Sequence, residues 1–147
     1  MIIGNGLIAK SLHNIDHPET LFFASGVSNS LEKEQAAFDR EFLLLKQNIE
    51  QNPHKKLVYF STLSILDQSK TDSLYTLHKK KLEKYIAENC TDFLILRIGN
   101  IVGAGGNPNT LFNFLKEKIS HGEKFHLHKK ARRLLTDIDD VSGFLGE

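Results

Sequence analysis

The sequence predicts an α/β fold built on a doubly wound, mostly parallel sheet. Short apolar runs rich in β-forming residues alternate with longer segments that have the periodicity of amphipathic helices. This alternation is typical of β-α units, because parallel strands are joined by helical crossovers and are buried on both faces. Right-handed crossovers then give a doubly wound sheet, in which ligands bind at the carboxyl ends of the strands.

Four apolar runs predict the strands, because each is bounded by turn or polar residues. The predicted strands are Met1–Ile3, Leu21–Ala24, Leu57–Phe60 and Phe93–Ile98. Helices are predicted near Leu7–His13, Leu31–Gln51, Tyr75–Ile86 and Thr110–Ser120. In the longest of them, Phe38, Phe42, Leu45 and Ile49 recur at i, i+4, i+7 and i+11, which places them on one face of a helix.

Length and composition predict a single domain over residues 1–147, with 40% hydrophobic and 25% charged residues. The net charge of +1 gives no global field toward nucleic acid, and no apolar run approaches the roughly 20 residues of a membrane span. One cysteine, Cys90, excludes an internal disulfide and favours a cytoplasmic location. Residues 139–147 have the pattern of the first turns of a helix, so we expect either a sequence truncated at its C-terminal end or a naturally trimmed member of a family.

The first predicted strand runs directly into a glycine turn, Gly4-Asn5-Gly6, followed by Leu7, Ile8 and Ala9. In a G-x-G-x-x-A pattern the first glycine permits a tight turn and the second lets a pyrophosphate approach the backbone. Backbone N–H groups of the following helix would face that anion. The alternative is a strand-to-helix turn that binds nothing. The position directly after the first strand favours the phosphate site.

Three polar residues at and beyond the third strand predict acid–base chemistry. Tyr75 and Lys79 are four residues apart in a predicted helix, so their side chains share one face about 6 Å apart. An ammonium beside a phenol lowers the pKa of the phenol, so Tyr75 could exchange a proton with a substrate oxygen that Thr62 positions. The alternative is a turn-forming Thr62 and two ordinary residues on a solvated helix face.

Taken in order, the glycine turn, VYFSTLSILD, YTLHK and LRIGNIVGAGGN resemble the extended short-chain dehydrogenase/reductase family, in its NAD-dependent epimerase/dehydratase branch. The resemblance implies a Rossmann-like fold with NAD or NADP as cofactor. It assigns catalysis to Thr62, Tyr75 and Lys79, and gives Lys79 a second contact with the nicotinamide ribose. It places the cofactor against these residues: Gly4, Asn5, Gly6, Leu7, Ile8, Ala24, Ser25, Gly26, Ser61, Lys79, Asn100 and Ile101. The segment from Leu96 to Gly103 resembles the strand and loop that close over nicotinamide and substrate, so Asn100 is also expected at the substrate. The segment from Arg133 to Val141 resembles the Arg-x₅-Asp-Asp segment of nucleotide-sugar enzymes, whose arginine contacts substrate phosphates, so Arg133 is expected there.

The sequence also departs from this family. The glycine turn is shortened, and the position twenty residues beyond Gly6, where an acidic or basic residue holds the adenosine ribose, is Gly26. The second and third β-α units are therefore expected to be missing, and the first strand should pair directly with Leu21–Ala24. Adenosine would lie exposed, with weak affinity and slight discrimination between NAD and NADP.

Two main functions remain open, beside the weaker alternative of a subunit whose cofactor or substrate pocket is completed by a partner chain. One is NAD(P)-dependent oxidation, reduction or epimerisation of a sugar, nucleotide-linked and used in polysaccharide biosynthesis. The other is a non-catalytic binding or regulatory domain that kept the fold but lost full cofactor affinity. A nucleotide-sugar is the expected partner, neither nucleic acid nor a membrane is expected, and a homo-oligomer is left open. His126 and His128 lack a third ligand at useful spacing, so no metal is expected.

Overall fold

The computed structural model describes residues 1–103, 105, 110–126, 129–130 and 132–146. Its main sheet has four parallel strands in sequence order: β1 (Ile2–Ile3), β2 (Thr20–Phe23), β3 (Lys56–Thr62) and β4 (Phe93–Ile98). The helices are α1 (Leu7–Ser11), α2 (Gln35–Gln51), α3 (Leu74–Asn89), α4 (Leu111–Ser120) and α5 (Ile138–Gly146). Short 3₁₀ turns lie at His13–Ile15, Leu63–Leu66 and Gln68–Lys70.

The predicted α/β class and the four predicted strands are confirmed. The expected direct contact between the first two strands is also present, with Ile2 opposite Phe22 and Ile3 opposite Phe23. Helix α2 begins at Gln35, four residues later than predicted. The reason lies in local side-chain bonds, because the Asn29 side chain accepts the N–H of Leu31 and Glu32 accepts the N–H of Glu34. Such bonds compete with helix formation.

A second sheet was not predicted. It pairs β5 (Asn100–Val102) in parallel with β6 (Leu135–Asp137), with Asn100 opposite Leu135. Each strand has only three residues, too few for an alternating or continuous apolar pattern to stand out. This small sheet brings the segment before α5 up to the end of β4, where the expected nicotinamide and substrate residues lie.

Alternate residues of the strands enter two separate cores. On one face, Leu21 and Tyr59 belong to a buried cluster that α2 and α3 cover, with Leu45 and Leu82 fully buried in it. On the other face, a second cluster joins these residues: Leu12, Phe22, Val58, Phe60 and Val141. Leu12 follows α1 and Val141 belongs to α5, so these two helices cover the second face. The sheet is thus covered on both faces, as a doubly wound sheet requires.

The first crossover differs in hand from the next two. The strands advance across the sheet in one direction, from β1 to β4. Helix α1 lies on the face opposite to α2 and α3, so the β1–β2 connection must have the opposite hand to the β2–β3 and β3–β4 connections. The expectation that all crossovers are right-handed is therefore wrong. A path of the same hand over α1 would place the next strand at the free edge of β1, where the missing β-α units belong.

Within the described ranges, no helix is both long enough and apolar enough to cross a membrane.

We expect Leu45→Ala to lower the free energy of unfolding by about 2–5 kcal/mol, because it leaves a cavity in a close-packed core. Leu45 is fully buried in α2, whereas Leu43, two residues before it, is 55% exposed. Leu43→Ala is the matched control and should cost less than about 0.5 kcal/mol. Urea unfolding of both variants measures the difference. Equal losses would contradict the assignment of the buried face of α2.

Candidate active site

A cavity of about 1260 Å³ opens at the carboxyl ends of the strands. Most of the predicted site residues line it: Asn5, Gly6, Leu7, Ile8, Ala24, Ser25, Gly26, Ser61, Thr62, Tyr75, Lys79, Asn100, Ile101 and Arg133. Gly4 does not line it. The cavity thus gathers residues from the glycine turn, from the ends of β2 and β3, from α3 and from the second sheet. Their roles as ligands or catalysts stay predictions.

The two glycines of the first turn have different environments. Gly4 has a φ of +133°, and a Cβ there would lie 2.5 Å from the carbonyl oxygen of Ala24, so only glycine fits against the end of β2. Gly6 precedes α1 in extended conformation, and a Cβ there would meet nothing within 4 Å. Open space beside the Gly6 backbone suits the close approach of a phosphate. Helix α1 has only five residues, so its dipole is weaker than that of a full helix.

Thr62 and Tyr75 meet at the wall of this cavity. Thr62 is the last residue of β3, and its hydroxyl accepts the N–H of Ser64 at 3.1 Å. Tyr75 lies in the first turn of α3, which Ser73 caps by accepting the N–H of Thr76. Burial raises the pKa of the Tyr75 phenol, a hydrogen bond with Thr62 opposes this, and the charge of Glu41 raises it further. The expected lowering of this pKa by Lys79 is therefore wrong.

The reason is that Lys79 is already paired. Its ammonium donates to Glu41 Oε1 at 2.7 Å and to the Tyr59 hydroxyl at 3.2 Å. The same Nζ lies 5.7 Å from the centre of the Tyr75 ring. Lys79 is 2% exposed and Glu41 is fully buried, so the ion pair is shielded from water. Burial lowers the pKa of Lys79, and the Glu41 carboxylate opposes that change.

Glu41 is held by four donors. In addition to Lys79 and Tyr59, it accepts the backbone N–H of Val27 at 2.8 Å and lies 3.1 Å from His78 Nε2. A carboxylate only accepts, so Nε2 of His78 must carry the proton. Burial alone would raise the pKa of Glu41, but His78, Lys79 and Val27 together lower it to about 2. The carboxylate is therefore ionised at any physiological pH.

Sequence reasoning missed Glu41, although a signal was present. Glu41 lies three residues after Phe38 and four before Leu45, which is the apolar face of α2. A carboxylate at such a position must find partners inside the protein, because burial of an unpaired charge is very costly. His78 shares the inward face of α3 with Lys79, and Tyr59 points inward from β3.

A second buried carboxylate fixes Ser61. The Ser61 hydroxyl donates to Glu83 Oε1 at 2.6 Å, and Arg97 donates to both oxygens of Glu83, with Nη2 at 2.6 Å. Burial raises the pKa of Glu83, but the hydrogen bonds from Arg97 and Ser61 outweigh this and lower it. The cluster ties β3, α3 and β4 together beside the cavity. The Ser61 hydroxyl is thus committed to a structural contact.

The remaining predicted residues come from the second sheet and the segment before it. The backbone N–H of Asn100 donates to the carbonyl of Leu134 at 3.0 Å, and its side-chain amide donates to the same oxygen at 3.3 Å. Arg133 is exposed and lines the cavity together with Arg132. The small sheet therefore positions the loop after β4 and the basic pair on the same side of the cavity.

The charged residues that line the cavity are mostly basic: Lys10, Arg40, Asp67, Lys70, Lys79, Arg132 and Arg133. Such a surface suits an anionic ligand. Lys10 and Arg40 are exposed and were not predicted as site residues, because neither lies at the position twenty residues past the glycine turn. Among the described residues, no group of three or more His, Cys, Asp or Glu could hold a metal ion. His128 lies outside those residues.

Solved structures that share this fold include the following three. The Bordetella bronchiseptica enzyme WbmH, solved in complex with NAD+, has 19% sequence identity and a TM-score of 0.68, over 97% of this chain and 54% of that chain. UDP-N-acetylglucosamine 4-epimerase from Methanobrevibacter ruminantium M1, in complex with UDP-N-acetylmuramic acid, has 15% identity and a TM-score of 0.65, over 97% and 55%. CapF, a capsular polysaccharide assembling protein from Staphylococcus aureus, has 20% identity and a TM-score of 0.54, over 95% and 37%.

The chain has a shortened form of their Rossmann-like fold. The resemblance stated for the sequence is thereby confirmed at the level of the fold. The chain spans only about a third to just over half of the length of these proteins. No model of a protein family matches the chain, and no curated protein matches it.

Acid should weaken the fold through Glu41. Its pKa of about 2 in the folded state lies below the ordinary value of 4.5, so its contribution is fully present above about pH 5 and is lost as pH falls toward 2. The loss is about 3 kcal/mol for this carboxylate. We expect Glu41→Gln to have a flatter pH dependence of unfolding free energy between pH 5 and 2. Parallel curves for the variant and the wild type would contradict the assignment.

Proposed function

We propose that the chain carries the nicotinamide-side and catalytic part of an NAD(P)-dependent enzyme that oxidises, reduces or epimerises a nucleotide-linked sugar for polysaccharide biosynthesis. The observation that carries the proposal is the meeting of Thr62, Tyr75 and Lys79 at one wall of a cavity that also includes Gly6. The nucleotide-sugar and NAD+ complexes of proteins with this fold support it. A cavity of about 1260 Å³ has room for ligands of that size.

The residues present fit a nicotinamide dinucleotide. Such a cofactor, when bound, supplies hydride transfer at the carbon next to a reacting oxygen. The open backbone at Gly6 would receive its pyrophosphate, and Lys79 would reach its ribose from the cavity wall. Asn100 and Ile101 would lie along the other side. Arg133 would meet the phosphates of the nucleotide-sugar, since guanidinium groups bind phosphate in a bidentate fashion.

Tyr75 would handle the proton of the substrate oxygen. In the reducing direction its phenol would donate the proton to the carbonyl oxygen of the substrate. In the oxidising direction its phenolate would accept the proton of the substrate hydroxyl. The Thr62 hydroxyl, which lines the same cavity as Tyr75, would hold that oxygen in position.

A second candidate is a non-catalytic binding domain with the same cavity. The pairing of Lys79 with Glu41 favours it, because the lysine charge is not free to promote the phenolate. Both candidates bind a dinucleotide or a nucleotide-sugar. Only the first requires turnover that depends on Tyr75.

Cofactor binding tests what the two candidates share. We expect NAD or NADP to raise the midpoint of thermal unfolding, because a ligand that binds only the folded state stabilises it. Gly6→Ala should fold normally, since a Cβ there meets nothing within 4 Å, but it should weaken binding by filling the space beside the backbone. Isothermal calorimetry with both cofactors measures the affinity, which we expect to be in the high-micromolar range or weaker.

Lys84→Ala provides the control for a change outside the cavity. Lys84 is a surface residue of α3 paired with Glu88, so this variant should bind the cofactor as the wild type does. If neither cofactor stabilises the wild type at millimolar concentration, dinucleotide binding is excluded. Equal binding by Gly6→Ala would remove the glycine turn from the site.

Turnover separates the two candidates. We expect Tyr75→Phe to lower kcat about 10²–10⁴-fold on any nucleotide-sugar that the wild type converts, because the proton donor is lost. The absorbance of reduced nicotinamide reports the reaction. Tyr85→Phe is the matched control: it lies on the same helix, packs edge-on against Phe42, and should keep normal kcat. Near-normal kcat in Tyr75→Phe would refute the proton-transfer role.

A further inference from the structure

The buried ammonium beside Tyr75 belongs to an ion pair. Lys79 Nζ lies 5.7 Å from the centre of the Tyr75 ring, and the Glu41 carboxylate lies 2.7 Å from that nitrogen. Both groups are buried, so water does not screen either of them. The fields of two opposite charges only 2.7 Å apart oppose each other at a neighbouring group. The phenol therefore experiences a short dipole instead of a bare ammonium.

We propose that Glu41 is a positioning residue of this site, which anchors the Lys79 ammonium beside Tyr75 and cancels its charge there, so that Tyr75 is held as a proton donor. The use made of that proton rests on the proposed function. The charge cancellation itself does not, because it concerns only the residues of this chain. A site arranged in this way starts its chemistry from the neutral phenol, which is the form needed for protonation of a carbonyl.

The polar groups around Tyr75, Lys79 and Glu41 come from three neighbouring elements. Helix α2 contributes Glu41, strand β3 contributes Thr62 and Tyr59, and helix α3 contributes His78 and Lys79. Burial and the charge of Glu41 both raise the pKa of Tyr75. The other charged residues that line the cavity are solvent-accessible and act through water: Lys10, Arg40, Asp67, Lys70, Arg132 and Arg133.

The backbone at Gly26 and Val27, on the cavity side, packs directly against the ion pair of Glu41 and Lys79. A Cβ at Gly26 would lie 2.8 Å from Glu41 Oε1 and 2.9 Å from Lys79 Nζ, so a larger residue there would displace the paired groups. The next residue, Val27, donates its N–H to Glu41. Glu41 thus also supports the loop that follows β2 and lines the cavity. A test must therefore separate electrostatics at Tyr75 from support of this loop.

Tyrosine ionisation read by NMR makes that separation. Protein labelled at the tyrosine ¹³Cζ gives one signal for each of Tyr59, Tyr75 and Tyr85, and Tyr75→Phe assigns the one of interest. We expect Tyr75 of the wild type to titrate no lower than free tyrosine. Glu41→Gln removes the carboxylate charge that raises the pKa of Tyr75, so the acid dissociation constant of Tyr75 should rise by about tenfold. No substrate or cofactor is needed.

Glu83→Gln is the matched control, because it also removes a carboxylate in this region but one that pairs with Arg97 and Ser61. Its Tyr75 titration should match the wild type. An unchanged Tyr75 titration in folded Glu41→Gln would overturn the proposal. If Glu41→Gln does not fold, the wild type decides: a Tyr75 that ionises more readily than free tyrosine shows that the charge of Lys79 is not cancelled, and the proposal fails. Absent cofactor binding would refute the proposed function but leave this result standing.

Discussion

The buried ion pair between Glu41 and Lys79 is the constraint on which the rest of the site depends. Two charges taken out of water need close pairing and further hydrogen bonds to offset their lost hydration. Here the pair is 2.7 Å apart, and Tyr59, His78 and the N–H of Val27 satisfy the remaining oxygen positions. These partners come from β3, α3 and the loop after β2, while Glu41 itself belongs to α2. Loss of one charge would leave the other buried and unpaired, which costs about 3–5 kcal/mol in other proteins.

The same pair decides how Tyr75 behaves. An unpaired lysine beside a phenol favours the phenolate. When the lysine is paired with a carboxylate, burial is the dominant influence on the pKa of the phenol, as it is for Tyr75. Thr62 opposes that influence through one hydrogen bond. The ion pair that stabilises the core therefore also keeps Tyr75 in its neutral, protonated form before any reaction. Structural support and chemistry are not separate properties of Glu41.

The sequence predicted contacts within one element better than contacts between elements. The i, i+4 spacing of Tyr75 and Lys79 and the position of Thr62 at the end of β3 followed from periodicity and turn signals, and the structure places all three along one cavity. The partner of Lys79 could not be inferred from spacing, because Glu41 is 38 residues away along the chain. Its place on the apolar face of α2 was the one local signal. The pairing of β5 with β6 was likewise beyond reach, since strands of three residues have no readable period.

The hand of the first crossover explains how a shortened sheet still has a crevice at the carboxyl ends of its strands. In open parallel sheets a crevice forms where neighbouring strands send their connections to opposite faces, and this usually coincides with a reversal of strand order. Among the described strands of the main sheet the order never reverses.

Yet β1 leads to α1 on one face, while its neighbour β2 leads to α2 on the other. The connections that follow β1 and β2 therefore leave the sheet toward opposite faces. Between them, the glycine turn at Gly6 and the loop at Ser25 line the same cavity. A first crossover of the same hand as the others, in the same strand order, would place both connections on one face and close this crevice. The unusual hand is thus what keeps a cavity at this point of a sheet that lacks two β-α units.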